Sequence, residues 1–251
     1  MAIGMDNIFT VDNLLSLLTL TVMEIVLGID NVLFVAIIVG KLPQNVQSKA
    51  RITGLSIAML LRVGLLFLIA SLAHLMQPLF EVFGHTITAH TVIMVLGGGF
   101  LIYKSTTEIH EKLAVPKETK KHNARPTLSS AIFQIIVIDI VFSFDSILTA
   151  IGIAKNIAVM IAAVVIAMFI MLASSAKLNK VFDKHPSIKM LALAFLLVIG
   201  FLLVVDGFDV EVPRSYLYVA MAFAFGVEAL NIKRRKIKRA MKKSRRSGNS
   251  Q

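Results

Sequence analysis

The chain of 251 residues contains no cysteine, which excludes disulfides, thiolate metal sites and thiol catalysis. Charge is scarce as well: only 16% of residues are Asp, Glu, Lys or Arg. No GxxxxGK[ST], HExxH or GxSxG pattern occurs, so neither nucleotide-driven work nor hydrolytic catalysis is expected, and the chain is not expected to be an enzyme. From Met1 to Asn13 there is no Lys or Arg. A secretory leader needs a positive start, so the first apolar stretch is expected to stay as a span. What is present is apolar: 57% hydrophobic residues and a mean hydropathy of +0.80. Such a composition excludes a disordered chain and a water-soluble enzyme, and it implies an all-α polytopic membrane protein of one domain.

Seven apolar stretches are long enough to span, at about 14–39, 52–75, 91–108, 128–153, 157–176, 188–206 and 214–231. Lys and Arg alternate across the connections. One side collects 23 of them, at Lys41 to Arg51, Lys104 to Arg125, Lys177 to Lys189 and in the tail. The other side has two, Lys155 and Arg214. The positive-inside rule then puts the N-terminus outside and the C-terminus in the cytoplasm. The domain expected is 1–231, with a basic cytoplasmic tail at 232–251. The polar connection at about 109–127 would divide the domain in two.

The net charge of +11 arises almost wholly in that tail, where ten basic residues lie between Lys233 and Arg246. A basic cluster directly after an apolar helix is expected to meet anionic lipid, and nucleic acid is not expected as a partner.

The halves repeat. Glu24-Ile-Val-Leu-Gly-Ile-Asp-Asn-Val-Leu33 aligns with Asp139-Ile-Val-Phe-Ser-Phe-Asp-Ser-Ile-Leu148, with four identities in ten and acids meeting at both positions. The offset is 115 residues throughout. A weaker echo pairs Gly99-Phe-Leu-Ile102 with Gly200-Phe-Leu-Leu203. The first and fourth spans would run in opposite directions. The expectation is a 3+3 inverted repeat, about 14–108 and 128–206, with a seventh helix added, an architecture of many secondary transporters.

Glu24, Asp30, Asp139 and Asp145 fall near mid-span. A central membrane charge costs roughly 2.5–3.5 kcal/mol, so these acids must face the bundle interior and find partners or carry protons. A cation site, a proton relay and a purely structural hydrogen-bonded network all satisfy that demand. On a regular helix Glu24 shares a face with Asn31, and Asp139 with Ser146, while Asp30 is turned about 120° from Glu24. Gly28 would permit a helix break there; Ser143, its counterpart, is a weaker breaker. Carboxylates with an amide and a hydroxyl are hard oxygen donors that suit Mn²⁺, Mg²⁺ or Ca²⁺. Arg62, central in the second span, must pair with an acid, as a structural ion pair or as a counter-ion that fills the site when metal leaves. Gly97, Gly98 and Gly99 suggest close helix packing.

The paired motifs resemble the signatures of the TerC family of bacterial integral membrane proteins. His185-Pro-Ser-Ile-Lys-Met-Leu-Ala-Leu193 and Val227-Glu-Ala-Leu-Asn231 extend the resemblance over most of the chain. It implies a multi-pass inner-membrane protein of a superfamily of exporters that includes lysine exporters. It points to Glu24, Asp30, Asn31, Asp139 and Asp145 as an ion-binding set, and to Mn²⁺ as exported cargo, with no tightly bound cofactor. Proton exchange on the acids would suit antiport. An exporter of a small organic cation and a non-transporting membrane scaffold are the competing readings.

Overall fold

The computed structural model describes residues 10–67, 78–82, 85–114, 127–153, 156–208, 210 and 212–248. The described residues are helical almost throughout. Thr10 caps α1 (Val11–Leu27) by accepting from the Asn13 N–H at 3.3 Å. Gly28 ends α1, and α2 (Ile29–Val39) leaves at an angle of 41°. Next come α3 (Gln44–Phe67), α4 (Ala89–Leu113), α5 (Leu128–Ile153), α6 (Ile157–Lys184), α7 (Pro186–Asp206) and α8 (Arg214–Gly248). Asn156 caps α6 through the Ala158 N–H at 2.9 Å. Pro186 opens α7 at the position where a missing N–H costs nothing.

Five of these helices are long and apolar enough to cross a membrane, and six when the bent α1–α2 pair is taken as one span, among the described residues. In α5 the apolar segment Leu128–Ser143 is shorter. The chain is therefore a polytopic membrane protein.

Two departures from the sequence reading concern the ends of helices. Among the described residues the fold is all-helical as expected, with a short antiparallel hairpin, β1 (Pro78–Val82) and β2 (His85–Thr88), in the connection before α4. Its residues Phe80, Val82, Thr86, Ile87 and Thr88 are aromatic or β-branched and fit a pleated strand. A register shift between Pro78 and Phe80 accommodates the proline, which cannot donate to the ladder. At the other end, α8 does not stop where its apolar stretch stops. It runs on through the basic segment, which has no Pro or Gly to break it before Gly248. The connection expected at about 109–127 is helical as far as Leu113 within α4, and residues 115–126 of it lie outside the described residues.

The most extensive helix packing joins α4 to α7. A Cβ built on Gly98 would lie 2.5 Å from the Gly200 carbonyl oxygen, and one on Gly200 would lie 2.9 Å from that of Gly98. Two glycines thus let two backbones touch, the usual device where lipid supplies no hydrophobic drive between helices. Helix α3 packs on α5, and α6 packs on α1 and α2; α3 and α6 also meet each other. Every residue of α2 from Asp30 to Val39 is buried. That all-round burial makes α2 the axis of the bundle and holds its polar first turn inside.

Candidate ion site at the bundle centre

Arg62 is among the most completely buried large side chains of the molecule. A charge so placed must be matched, and three elements supply the match. Its Nη1 donates to Glu24 Oε2 of α1 at 2.5 Å, and its Nη2 to Asp139 Oδ1 of α5 at 3.0 Å. Its Nε donates to Ser143 Oγ, also of α5, at 2.8 Å. The Ser143 hydroxyl in turn donates a hydrogen bond to Asp139 Oδ2 at 3.1 Å, one helical turn back. Asn31 of α2 adds a longer bond, Nδ2 to Asp139 Oδ1 at 3.4 Å. The planar guanidinium fork suits such a task, because its donors point at separate acceptors in one plane.

Each of the first acids of the two motifs, Glu24 and Asp139, is thus held by one arginine. With all three ionised the cluster carries two negative charges and one positive. Removing either partner would strand a buried charge, which typically costs about 3–5 kcal/mol. Ser146, buried beside them, donates to the Ser143 carbonyl at 3.3 Å.

The second acid of the first motif goes elsewhere. Asp30 is buried, but its Oδ2 accepts from the Tyr218 hydroxyl of α8 at 3.4 Å, and its Oδ1 has no hydrogen-bond partner among the described residues. The turn of about 120° from Glu24 explains the separation. Asp145 lies on α5, and its side chain is outside the described residues. Asn31 Oδ1, like Asp30 Oδ1, has no hydrogen-bond partner there. Among the described residues no three of His, Asp and Glu converge as a metal-binding group, so in this state the oxygens of Glu24 and Asp139 serve Arg62.

Gly28 separates the two acids of the first motif. Its backbone is in the right-handed region, so glycine is required there by space and not by φ. A Cβ would strike the Met171 sulfur of α6 and lie 2.8 Å from the Glu24 carbonyl oxygen. Ser143, at the equivalent place in the second motif, meets Arg62 of α3. The two motifs therefore have unlike partners at matching positions, a thioether and a guanidinium. Sequence reading missed Met171 and Tyr218. It also saw Ser143 only as a weak breaker, although its spacing of four from Asp139 puts both on one face.

A second ionic cluster sits at the far end of α2. Lys41 Nζ lies 2.5 Å from Glu108 Oε1 and 2.7 Å from Glu111 Oε2, both of α4, and Lys104 reaches Glu108 at 3.4 Å. Burial alone would push the Lys41 ammonium down. The hydrogen bonds and charges of the two glutamates outweigh burial, and its pKa stands above the ordinary lysine value.

A broken, buried span with intramembrane acids on a buried arginine defines an integral membrane protein with a polar centre. The family model described as "Integral membrane protein TerC family" matches residues 9–243, and the chain belongs to that family. It is 45% identical to the "UPF0053 inner membrane protein YgdQ" of Escherichia coli K12 over 88% of this chain and 93% of that one. It is 42% identical to a "UPF0053 protein" of Haemophilus influenzae, over 89% and 94% of the two chains. The "UPF0053 inner membrane protein YoaE" of Escherichia coli K12 is 44% identical over 86% of this chain but only 42% of its own length. No solved structure matches. With these relatives the chain is placed as a multi-pass protein of the bacterial inner membrane.

Proposed function

We propose that the chain is a transporter that exports a hard divalent cation, Mn²⁺ first among them, in exchange for protons. The observation that carries the reading is the shared use of Arg62 by Glu24 and Asp139 at the bundle centre. A guanidinium and a metal cation compete for the same carboxylate oxygens. When Arg62 withdraws, Glu24, Asn31, Asp139 and Ser146 present oxygen donors from α1, α2 and α5; Asp30 and Asp145 are the further acids of the set. Arg62 then acts as a tethered counter-ion that refills the site after release. Cytoplasmic entry and outward release rest on the family resemblance.

The architecture suited to this work is seven spans, counting α1–α2 and α5 as one each, with the N-terminus outside and the C-terminus inside. The packing supports an inverted repeat. Exchanging the halves maps α3-on-α5 onto α6-on-α1 and α2, and maps the α4–α7 glycine contact onto itself. The basic end of α8 meets anionic lipid on the cytoplasmic face.

The test is flux into proteoliposomes of Mn²⁺, Mg²⁺, Ca²⁺ and lysine, with a pH dye inside, for the wild type and for Asp30→Asn and Asp145→Asn. Mn²⁺ movement with proton counterflow, lost in both folded variants, is the expected result. Lysine movement without metal movement would select the organic-cation reading. No movement of any of the four would leave the scaffold reading.

A further inference from the structure

The first motif sends its two acids to opposite sides of the break. Glu24 turns toward α3 and α5 and is closed off by Arg62. Asp30 turns toward α8, the helix outside the two repeats, and meets Tyr218. Only 1% of Asp30 is exposed, yet among the described residues one of its oxygens has no hydrogen-bond partner and the other accepts from Tyr218 at 3.4 Å. A carboxylate so buried and so poorly matched is costly unless it takes up a proton or a cation, the two species that a metal/proton exchange would bring to it. Arg62 gives its hydrogen bonds to Glu24, Asp139 and Ser143 instead. The nearest cation on α8 is Arg214, one turn before Tyr218, and it pairs with Asp206 of α7 at 3.6 Å. The charge of Arg214 also acts on Asp30 through space.

We propose that Asp30 and Tyr218 form a second cation station, separate from the Arg62 cluster and built jointly by the broken first span and the seventh helix. A carboxylate and a phenol oxygen are hard donors, and a divalent cation held by them would keep part of its water shell, as such cations commonly do. Tyr218 is then a positioning residue for the cargo, and α8 a working part of the transporter. Two stations on either side of Gly28 would let a cation step past the break while Arg62 recloses behind it. The inference rests on the transport reading.

The test is Mn²⁺ transport by the full chain in proteoliposomes, comparing wild type with Tyr218→Phe, which keeps the ring and loses only the hydroxyl. Tyr216→Phe, at an exposed tyrosine on the same helix, is the control. Loss of one hydrogen-bonding oxygen should raise KM about three- to tenfold with kcat within about twofold. The electron paramagnetic resonance spectrum of Mn²⁺ bound to the detergent-solubilised chain should change in Tyr218→Phe and not in Tyr216→Phe. A Tyr218→Phe chain with wild-type KM and spectrum would overturn the second station while leaving transport intact. A fall in kcat at constant KM would also overturn it, because the tyrosine would then serve the conformational change. A wild type that neither binds nor moves Mn²⁺, Mg²⁺ or Ca²⁺ would overturn the station and the transport reading together.

Discussion

Arg62 of α3 and Asp139 of α5 meet at 3.0 Å across 77 positions of sequence, and the same guanidinium reaches Glu24 of α1. The contact ties a helix of the first half to the motif of the second. It also fixes which oxygens are engaged in this state. Breaking it from one side leaves two buried carboxylates short of a cation. Arg62→Met should therefore cost about 3–5 kcal/mol. The triple variant with Glu24→Gln and Asp139→Asn should recover much of that loss, since no net charge is left to bury. Thermal unfolding in detergent, read for the single and triple variants, checks both statements.

The run Gly97-Gly98-Gly99 offers a comparison within three adjacent positions. A Cβ on Gly98 meets the Gly200 carbonyl and the Val204 backbone nitrogen, which cannot swing away. A Cβ on Gly99 meets nothing within 4 Å. Gly98→Ala should destabilise by about 1–3 kcal/mol, while Gly99→Ala should be neutral or slightly stabilising through its better helix propensity. Melting temperatures and the monodisperse fraction on size exclusion would separate the two.

Gly28→Ala should be harmful for a different reason. The added methyl collides with the Met171 sulfur, the end of a flexible side chain, and with the Glu24 carbonyl, which is fixed. Shortening the first obstacle with Met171→Ala should rescue only part of the loss in the double variant. Full rescue would show that Met171 alone demands glycine there. Both stability and transport rate should follow this order.

At the end of α2, the Lys41 pKa is raised by Glu108 and Glu111 against the opposing effect of burial. A lysine with a raised folded pKa stabilises fully below its unfolded value, about 10.5, and the contribution is lost as pH climbs through the folded value. Lys41→Met should be less stable than wild type near neutral pH, by about 1 kcal/mol given partial exposure. The gap should close as pH rises past about 10.5. Melting curves for the two proteins between neutral and alkaline pH would show it.

Much of this arrangement was legible in the residues. A buried arginine must find an acid, and the repeated motif offered acids at matching depth. Helix α5 occupies the apolar stretch 128–153 read from the sequence. The division of labour between Glu24 and Asp30 was half legible. Helical angles put the two acids apart, but nothing in the chain said that Tyr218, 188 positions later, would stand opposite the second. Such a contact depends on how α8 lies against the bundle, which hydropathy does not encode. The hairpin before α4 was not legible because two short strands in a connection leave no long apolar run in the sequence. The continuation of α8 was missed because charge marked the end of the apolar stretch, whereas Lys and Arg are good helix formers.

The central claim is that the oxygens held by Arg62 are those that carry the metal. Mn²⁺ flux through proteoliposomes, with internal pH followed at the same time, tests it most directly in Glu24→Gln and Asp139→Asn. The wild type should move Mn²⁺ against a flow of protons, and both variants, monodisperse in detergent, should be slower by about a hundredfold or more. Undiminished flux in either folded variant would contradict the account.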